Sequence, residues 1–254
     1  MELTLATVCA IIVILSGALL ILLERLFPYN RGQRLFRQGF ITDLGLYAIV
    51  QSYLLGLVIF GFIAWIDQQT GVSRWTFFRS QNLWVQMLVV LVVHDFYIYW
   101  FHRWQHKSPL LWRIHEAHHS TKDVDWLSGS RSHSLEILVN QTVEFLPIVL
   151  LASAEIAVMK GAVDAIWGMY IHSNIDVRSG WMQRLINGPE MHRWHHADDH
   201  RSHNRNFSTK LAVWDWLFGT AYLPADEKPG AYGLDDEFPK GYIGQHLHAF
   251  RRRR

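Results

Sequence analysis

The sequence predicts an all-α integral membrane protein, with about four to five membrane-embedded helices and a helical, histidine-rich domain on the cytoplasmic side. Three observations lead to this fold class. Half of the 254 residues are hydrophobic and only 18% are charged, against about 25% in an ordinary soluble domain. The apolar residues are concentrated in a few long runs. No alternation of apolar and polar residues is sustained, which favours helices over strands.

Three apolar runs predict membrane-crossing helices. Residues 3–23 carry no charge, and at about 1.5 Å per residue such a helix covers the roughly 30 Å hydrocarbon core. This run is too long for a cleaved signal peptide and lacks its basic flank, so an uncleaved span is expected. Residues 44–66 and 83–101 form the other two runs, the last interrupted by His94 and Asp95.

Two weaker apolar runs follow, at 137–154 and 156–171. They contain Glu144, Lys160 and Asp164, and ionisable groups at membrane depth usually face protein or water rather than lipid. We therefore expect a hairpin that enters the bilayer partway or packs inside the helix bundle.

The basic residues predict the orientation. If the hairpin enters and returns, the three segments that share one side of the membrane carry 21 of the 24 Lys and Arg residues, whereas the opposite loop, 67–82, carries two. The positive-inside rule then places the large side in the cytoplasm and the N-terminus outside. The expected location is a bacterial inner membrane or the endoplasmic reticulum.

Composition excludes several kinds of site. The single cysteine, Cys9, permits no internal disulfide, no Cys-ligated zinc site and no protein-ligated iron–sulfur cluster. The net charge of +2 and the lack of a basic nucleic-acid-binding motif predict no nucleic-acid partner.

Histidine is the most informative residue type, because 13 of the 15 histidines lie within residues 94–203. Eight of them form three clusters with i, i+3 or i, i+4 spacing, which places imidazoles on one helical face. Imidazole suits Fe, Zn, Cu and Ni, and eight ligands suit two adjacent metals better than one. The clusters are His102 and His106 in HRWQH, His115, His118 and His119 in HEAHH, and His192, His195 and His196 in HRWHH.

The ordered clusters resemble the three histidine boxes of the fatty acid hydroxylase/sterol desaturase family of membrane di-iron enzymes. The segment SHSLE at 132–136 is similar to the family's HPLE element, with Ser134 where Pro is usual. HSNID at 172–176 resembles the histidine element before the third box, and WDWLFGT at 214–220 matches the stretch after it. The match covers about 95–220.

The resemblance implies two iron ions, with zinc as a mis-metallation product, and O2 as co-substrate. It implies ligands at the eight box histidines and a ninth at His172. We leave open whether His133 is a tenth ligand or a group that fixes its loop. Asp95 lies seven residues before His102 and shares its helical face, so it either orients a ligand imidazole through a hydrogen bond or serves as a capping or buried polar group. Asp176 is a similar candidate.

The implied reaction is the hydroxylation or desaturation of an unactivated C–H bond of a lipid, and box spacing does not separate the two outcomes. The expected partners are a membrane lipid and a separate electron donor of ferredoxin or cytochrome type. The expected organisation is transmembrane helices at 1–101, a catalytic region at 102–220 that includes the membrane hairpin at 137–171, and an irregular tail at 221–254.

Other functions stay open from the sequence. A zinc-dependent membrane hydrolase would also use clustered histidines, and Glu116 in HEAHH partly supplies its base, although HEAHH is not HExxH. A divalent-metal transporter would place its histidines and acidic groups along the spans, whereas here they follow the spans. A relative that has lost catalysis would keep the fold.

Overall fold

A computed structural model describes residues 3–234 and 237–251. Within these stretches all regular structure is helical apart from two isolated β-bridges, Pro28 with Ile175 and Ala197 with Tyr232. The predicted all-α class is therefore confirmed. The α-helices are α1 (Leu5–Leu26), α2 (Ser52–Thr70), α3 (Leu83–Lys107), α4 (Pro109–His115), α5 (Ser134–Leu151), α6 (Ala154–His172), α7 (Pro189–His195), α8 (Val213–Leu217) and α9 (Tyr242–His248).

Four helices are long and apolar enough to cross a membrane, in agreement with an integral membrane protein. They are α1, the continuous helix Thr42–Thr70, α3 and α5. The second of these begins as a π-helical segment, Thr42–Gln51, and continues as α2. In α1 most leucines and isoleucines are exposed, as expected where the surrounding medium is lipid rather than water.

Local signals explain where these helices begin and end. The Thr4 hydroxyl accepts a hydrogen bond from the Thr7 amide at the start of α1, and the Asn82 side chain accepts one from the Trp84 amide at the start of α3. Helix α2 ends at Gly71, whose φ of +64° is the left-handed conformation that glycine adopts without a Cβ clash.

The hairpin region consists of α5 and α6, joined at Ala152 and Ser153. Helix α6 packs along α1, and Arg79 from the loop before α3 donates to the carbonyls of Leu150 and Ala152, each at 3.0 Å. The loop that precedes α3 therefore holds the turn between α5 and α6. Helix α6 carries His172 at its last position and delivers it to the histidine-rich region.

A buried network of two arginines and two aspartates joins the loop after α1 to the chain beyond the second box. Arg37 donates to both oxygens of Asp125 at 2.8 and 2.9 Å and to Asp43 at 2.7 Å. Arg131 donates to both oxygens of Asp43 at 2.8 and 2.9 Å. Since every charge has a partner of opposite sign, the network fixes residue 131, whose carbonyl contacts a box histidine.

The C-terminal segment, expected to be irregular, contains one short helix. Its described part is irregular except for α9, a seven-residue helix that starts after Gly241. The Tyr47 hydroxyl donates to the Gln245 side chain at 2.6 Å, so α9 is anchored on the π-helical segment. A helix this short is held by such tertiary contacts and leaves little periodic signal in the sequence.

Candidate metal centre

Nine histidines from four parts of the chain converge into two buried groups. Within each group, one ring nitrogen of every member lies within 4.8 Å of those of the other members. The five-histidine group and the four-histidine group together contain the eight box histidines and His172. The five-histidine group is His102, His106, His115, His119 and His195, and the four-histidine group is His118, His172, His192 and His196.

The second and third boxes are divided between the two groups. Helix α4 ends at His115, and a 3₁₀ turn, His118–Ser120, follows. His115 and His119, four residues apart, share one group, and His118 lies in the other. Helix α7 ends at His195, and two histidines of this helix, His192 and His195, belong to different groups. The second and third boxes therefore each contribute to both groups, whereas the first box contributes only to the five-histidine group.

In the five-histidine group every Nε2 atom is buried and has no hydrogen-bond partner among the described residues. An unsatisfied buried polar atom costs about 1–3 kcal/mol, and native proteins contain few of them. Five such nitrogen atoms facing one small volume fit a metal ion, which would accept all five lone pairs.

In the four-histidine group the Nε2 atoms face one another. The Nε2 of His172 lies 2.9 Å from that of His192, 3.2 Å from that of His196 and 3.3 Å from that of His118. Metal–nitrogen bonds of about 2.0–2.1 Å put neighbouring ligand nitrogens roughly 2.9–3.4 Å apart in octahedral or tetrahedral geometry. The observed separations match that range.

The opposite ring nitrogen, Nδ1, is engaged in five of the nine imidazoles. A proton on Nδ1 that is donated to an oxygen leaves Nε2 with its lone pair free for a metal, so the hydrogen bond selects the tautomer. The pairs are His102 with Phe207 O (2.8 Å), His172 with Gly168 O (2.7 Å), His195 with Arg205 O (2.8 Å), His118 with Arg131 O (3.2 Å) and His115 with Glu136 Oε1 (2.9 Å).

Burial favours the neutral form of several of these imidazoles. It lowers the pKa of His195 to about 3 and the pKa of His118, His119, His192 and His196 well below the usual range for histidine. Removal from water penalises the protonated ring, and the neighbouring imidazoles add to the effect. A metal ion therefore meets ligands that need not lose a proton at neutral pH.

A glycine makes room for the ninth ligand. A Cβ added at Gly129 would lie 2.5 Å from His172 Nδ1, closer than real Cβ contacts come. The 3₁₀ turn that carries this glycine, Ser128–Ser130, packs against α6. The sequence analysis did not single out Gly129.

The two aspartates expected to orient imidazoles make other contacts. Asp95 is fully buried and accepts hydrogen bonds of 2.8–3.0 Å from four groups of the segment 209–214, including the Thr209 hydroxyl and the Trp214 indole. Asp176 is partly exposed and contacts Lys228 at 2.7 Å. Of the two roles left open for Asp95, these contacts correspond to that of a buried polar group, and Asp176 has Lys228 as its partner.

His133 also lies outside both histidine groups. Its Nδ1 accepts from the Leu135 amide at 3.1 Å and caps the start of α5, while its Nε2 lies 3.1 Å from the His246 carbonyl. The ring is thus used at both nitrogens to hold the first turn of α5 and α9. Of the two roles left open for His133, the contacts correspond to the loop-fixing one.

Glu136 is a functional contact that the sequence analysis missed. It lies in the segment SHSLE, which is similar to the family's HPLE element. Its carboxylate accepts a hydrogen bond from His115 Nδ1. The available signal was an acidic residue within an element that resembles one of the family. Nothing local in the sequence indicates that Glu136 contacts His115, which lies 21 residues earlier.

A third cluster, among α3, α5 and α6, combines His94, Glu144 and Asp164. Here an ammonium already lies between the acidic groups. Lys160 Nζ lies 3.0 Å from His94 Nδ1 and contacts both carboxylates, and Lys210 Nζ contacts Asp164 at 2.6 Å. The expectation that the ionisable groups of the hairpin face protein agrees with this arrangement.

The fold and the site together define a helical membrane protein whose histidines form two adjacent groups able to hold metal ions. The profile of the fatty acid hydroxylase family matches residues 87–220, which is more than half of the chain and includes all three boxes. The chain belongs to this family, as the resemblance predicted.

Curated relatives agree. The chain is 31% identical to an ornithine lipid hydroxylase of Rhizobium tropici over 66% of its own length and 51% of that protein. It is 27% identical to the human alkylglycerol monooxygenase over 66% of its length and 38% of the relative, and 30% identical to an Aspergillus fumigatus methylsterol monooxygenase over 57% and 49%. The chain therefore spans about a third to a half of these relatives, whose names describe oxidoreductases acting on lipids. No solved structure matches this chain.

Proposed function

We propose that the protein is a membrane-bound di-iron oxygenase that hydroxylates a C–H bond of a lipid. The observation that carries the proposal is the pair of histidine groups, whose buried Nε2 atoms face inward. The family and the names of the relatives support the reaction class and a lipid substrate.

In the proposed reaction a lipid C–H group, one O2, two electrons and two protons give an alcohol and one water. Bound iron supplies the redox chemistry that activates O2 and breaks the C–H bond. The chain itself supplies the ligand shell, in which five Nδ1–H hydrogen bonds fix ring orientation. The histidines would hold the metals through neutral imidazoles, which would leave the positive charge of the metals uncompensated.

The residues that hold the ligands come from segments far apart in sequence. The carbonyls of Phe207 and Arg205 fix His102 and His195, and Asp95 in turn fixes the segment after residue 207. Glu24 on α1 accepts from the amides of Trp126 and Asn174 at 2.8 and 2.7 Å, and Asn174 follows the ligand His172 by two residues. This rigid frame keeps the site in the geometry of the reaction.

The electrons come, in this proposal, from a separate ferredoxin- or cytochrome-type donor. We further propose that the histidine site faces the cytoplasm. The asymmetry of the basic residues supports this orientation, and a cytoplasmic site is accessible to a soluble or membrane-bound reductase.

The test is a comparison of the lipids of cells with and without the protein under 18O2, alongside the His195→Ala variant. The proposal predicts one 18O atom in a lipid that is present only with the unaltered protein. A lipid change that lacks 18O and survives in iron-free, zinc-loaded protein contradicts the oxygenase and favours the hydrolase.

A further inference from the structure

A cavity of about 960 Å³ opens onto both histidine groups. His106, His119 and His195 of the five-histidine group line it together with His196 of the four-histidine group. Its volume lies within the roughly 300–1,000 Å³ typical of small-molecule sites. A group that occupies this cavity is therefore in reach of whatever the histidines hold.

The cavity lies at the level of the membrane surface rather than of the acyl chains. Helix α3 starts at Leu83, and about 20 residues at 1.5 Å each cross the hydrocarbon core, which ends near residue 103. Trp100 and Trp104 stand there, as tryptophans do at membrane interfaces. Lys107, in the cavity wall, lies roughly 6 Å further on.

The wall carries charges of both signs. Lys107 and Arg251 are basic, Asp198 is acidic, and among the described residues none of these three forms an ion pair. A second acidic group, Glu116, lies 3.7 Å from His248. Such a wall is complementary to a ligand that bears both a cation and an anion.

An apolar groove adjoins the cavity at Lys107. The α3 residues Phe96, Tyr97, Trp100 and Phe101 line it together with Arg103 and Trp104, and Lys107 belongs to both linings. The groove runs back toward the bilayer centre. An amphiphile whose chains follow it has its headgroup at the cavity.

We propose that the cavity binds a zwitterionic lipid headgroup, with its ammonium at Asp198 and its anionic group at Lys107 and Arg251, and that the oxidised carbon lies in or beside that headgroup. The inference rests on the proposed function for the oxidation, but not for the binding. It assigns the substrate to the zwitterionic aminolipids, and it makes Asp198 and Lys107 determinants of specificity.

Binding is measured first, by native mass spectrometry of the full chain in mixed micelles that contain equal amounts of ornithine lipid, a neutral alkylglycerol and a methylsterol. We expect ornithine lipid to predominate on the unaltered protein. Asp198→Asn and Lys107→Gln each lower the ratio of bound ornithine lipid to alkylglycerol about two- to fivefold, the scale of an exposed charge contact. The matched control is Asp199→Asn, because Asp199 pairs with Arg201 and does not line the cavity.

Turnover is measured next, with iron-loaded protein, a chemical reductant and 18O2, and fragmentation locates the label. Label in the headgroup or the adjoining carbons supports the inference, whereas label in the acyl chains overturns its positional part. Equal ratios for Asp198→Asn and Asp199→Asn, or a preference for the neutral lipids, overturn the binding part. If the binding preference holds but no lipid is oxidised, the proposed function fails while the headgroup site stands. Variants that alter only the dependence on an added reductase assign the cavity to the electron donor instead.

Discussion

Replacement of Glu136 by alanine tests the outer layer of the centre. The carboxylate accepts from His115 Nδ1 at 2.9 Å, and both side chains are buried. Without the acceptor, a buried N–H is left unsatisfied at a cost of about 1–3 kcal/mol. At about 1.4 kcal/mol per factor of ten, metal affinity falls about 5- to 150-fold, in the range of about 10–100-fold typical for such contacts.

The assay is chelator competition on metal-loaded protein, with the metal retained per chain as readout. We expect Glu136→Ala to lose the metal of the five-histidine group at a chelator concentration about 10–100-fold below that of the unaltered chain and to keep the other metal. Glu136→Gln keeps an oxygen acceptor without the charge and is expected to fall between the two. The control is Glu155→Ala, since Glu155 is exposed on α6. If Glu136→Ala retains metal as well as Glu155→Ala does, while thermal unfolding shows both folded, the role given to Glu136 is refuted.

Three further perturbations test the position of His172, the role of His133 and the membrane topology. Gly129→Ala displaces His172, so about half of the bound metal is lost. Gly168→Ala, where the added Cβ meets no atom of a neighbouring segment within 4 Å, keeps the metal, and equal metal content in both variants contradicts the close approach of Gly129 to His172. His133→Ala keeps its full metal content and lowers the free energy of unfolding by about 1 kcal/mol, because the helix cap of α5 is lost. Loss of metal from this variant would instead indicate that His133 is a ligand. In a chain without Cys9, cysteines at exposed Arg34 and Gln81 label with a membrane-impermeant maleimide from opposite sides of the membrane, and labelling from one side refutes the topology.

The features that could be predicted from the sequence are those that depend on a local pattern of residues. Uncharged runs specify membrane helices because length and polarity alone decide crossing. Box spacing specifies ligands because residues i and i+4 share a helical face. Within each box the two histidines four residues apart share a group, but the spacing alone does not show that His118 and His195 each join the other group.

The supporting contacts were not predictable in the same way. Asp95 shares a helical face with His102, yet its hydrogen bonds reach a segment more than 110 residues downstream. His133 resembles a ligand by residue type, but α9 supplies its partner across the fold. Such contacts follow from tertiary packing, which single-sequence patterns do not encode.

The most direct test of two adjacent histidine-held metals is metal analysis of protein purified without oxygen, with a single-ligand variant in each group. The account predicts about two iron ions per chain in the unaltered protein. It predicts about one in His106→Ala, from the five-histidine group, and about one in His192→Ala, from the four-histidine group. One metal per chain in the unaltered protein, or two in both variants, would contradict it.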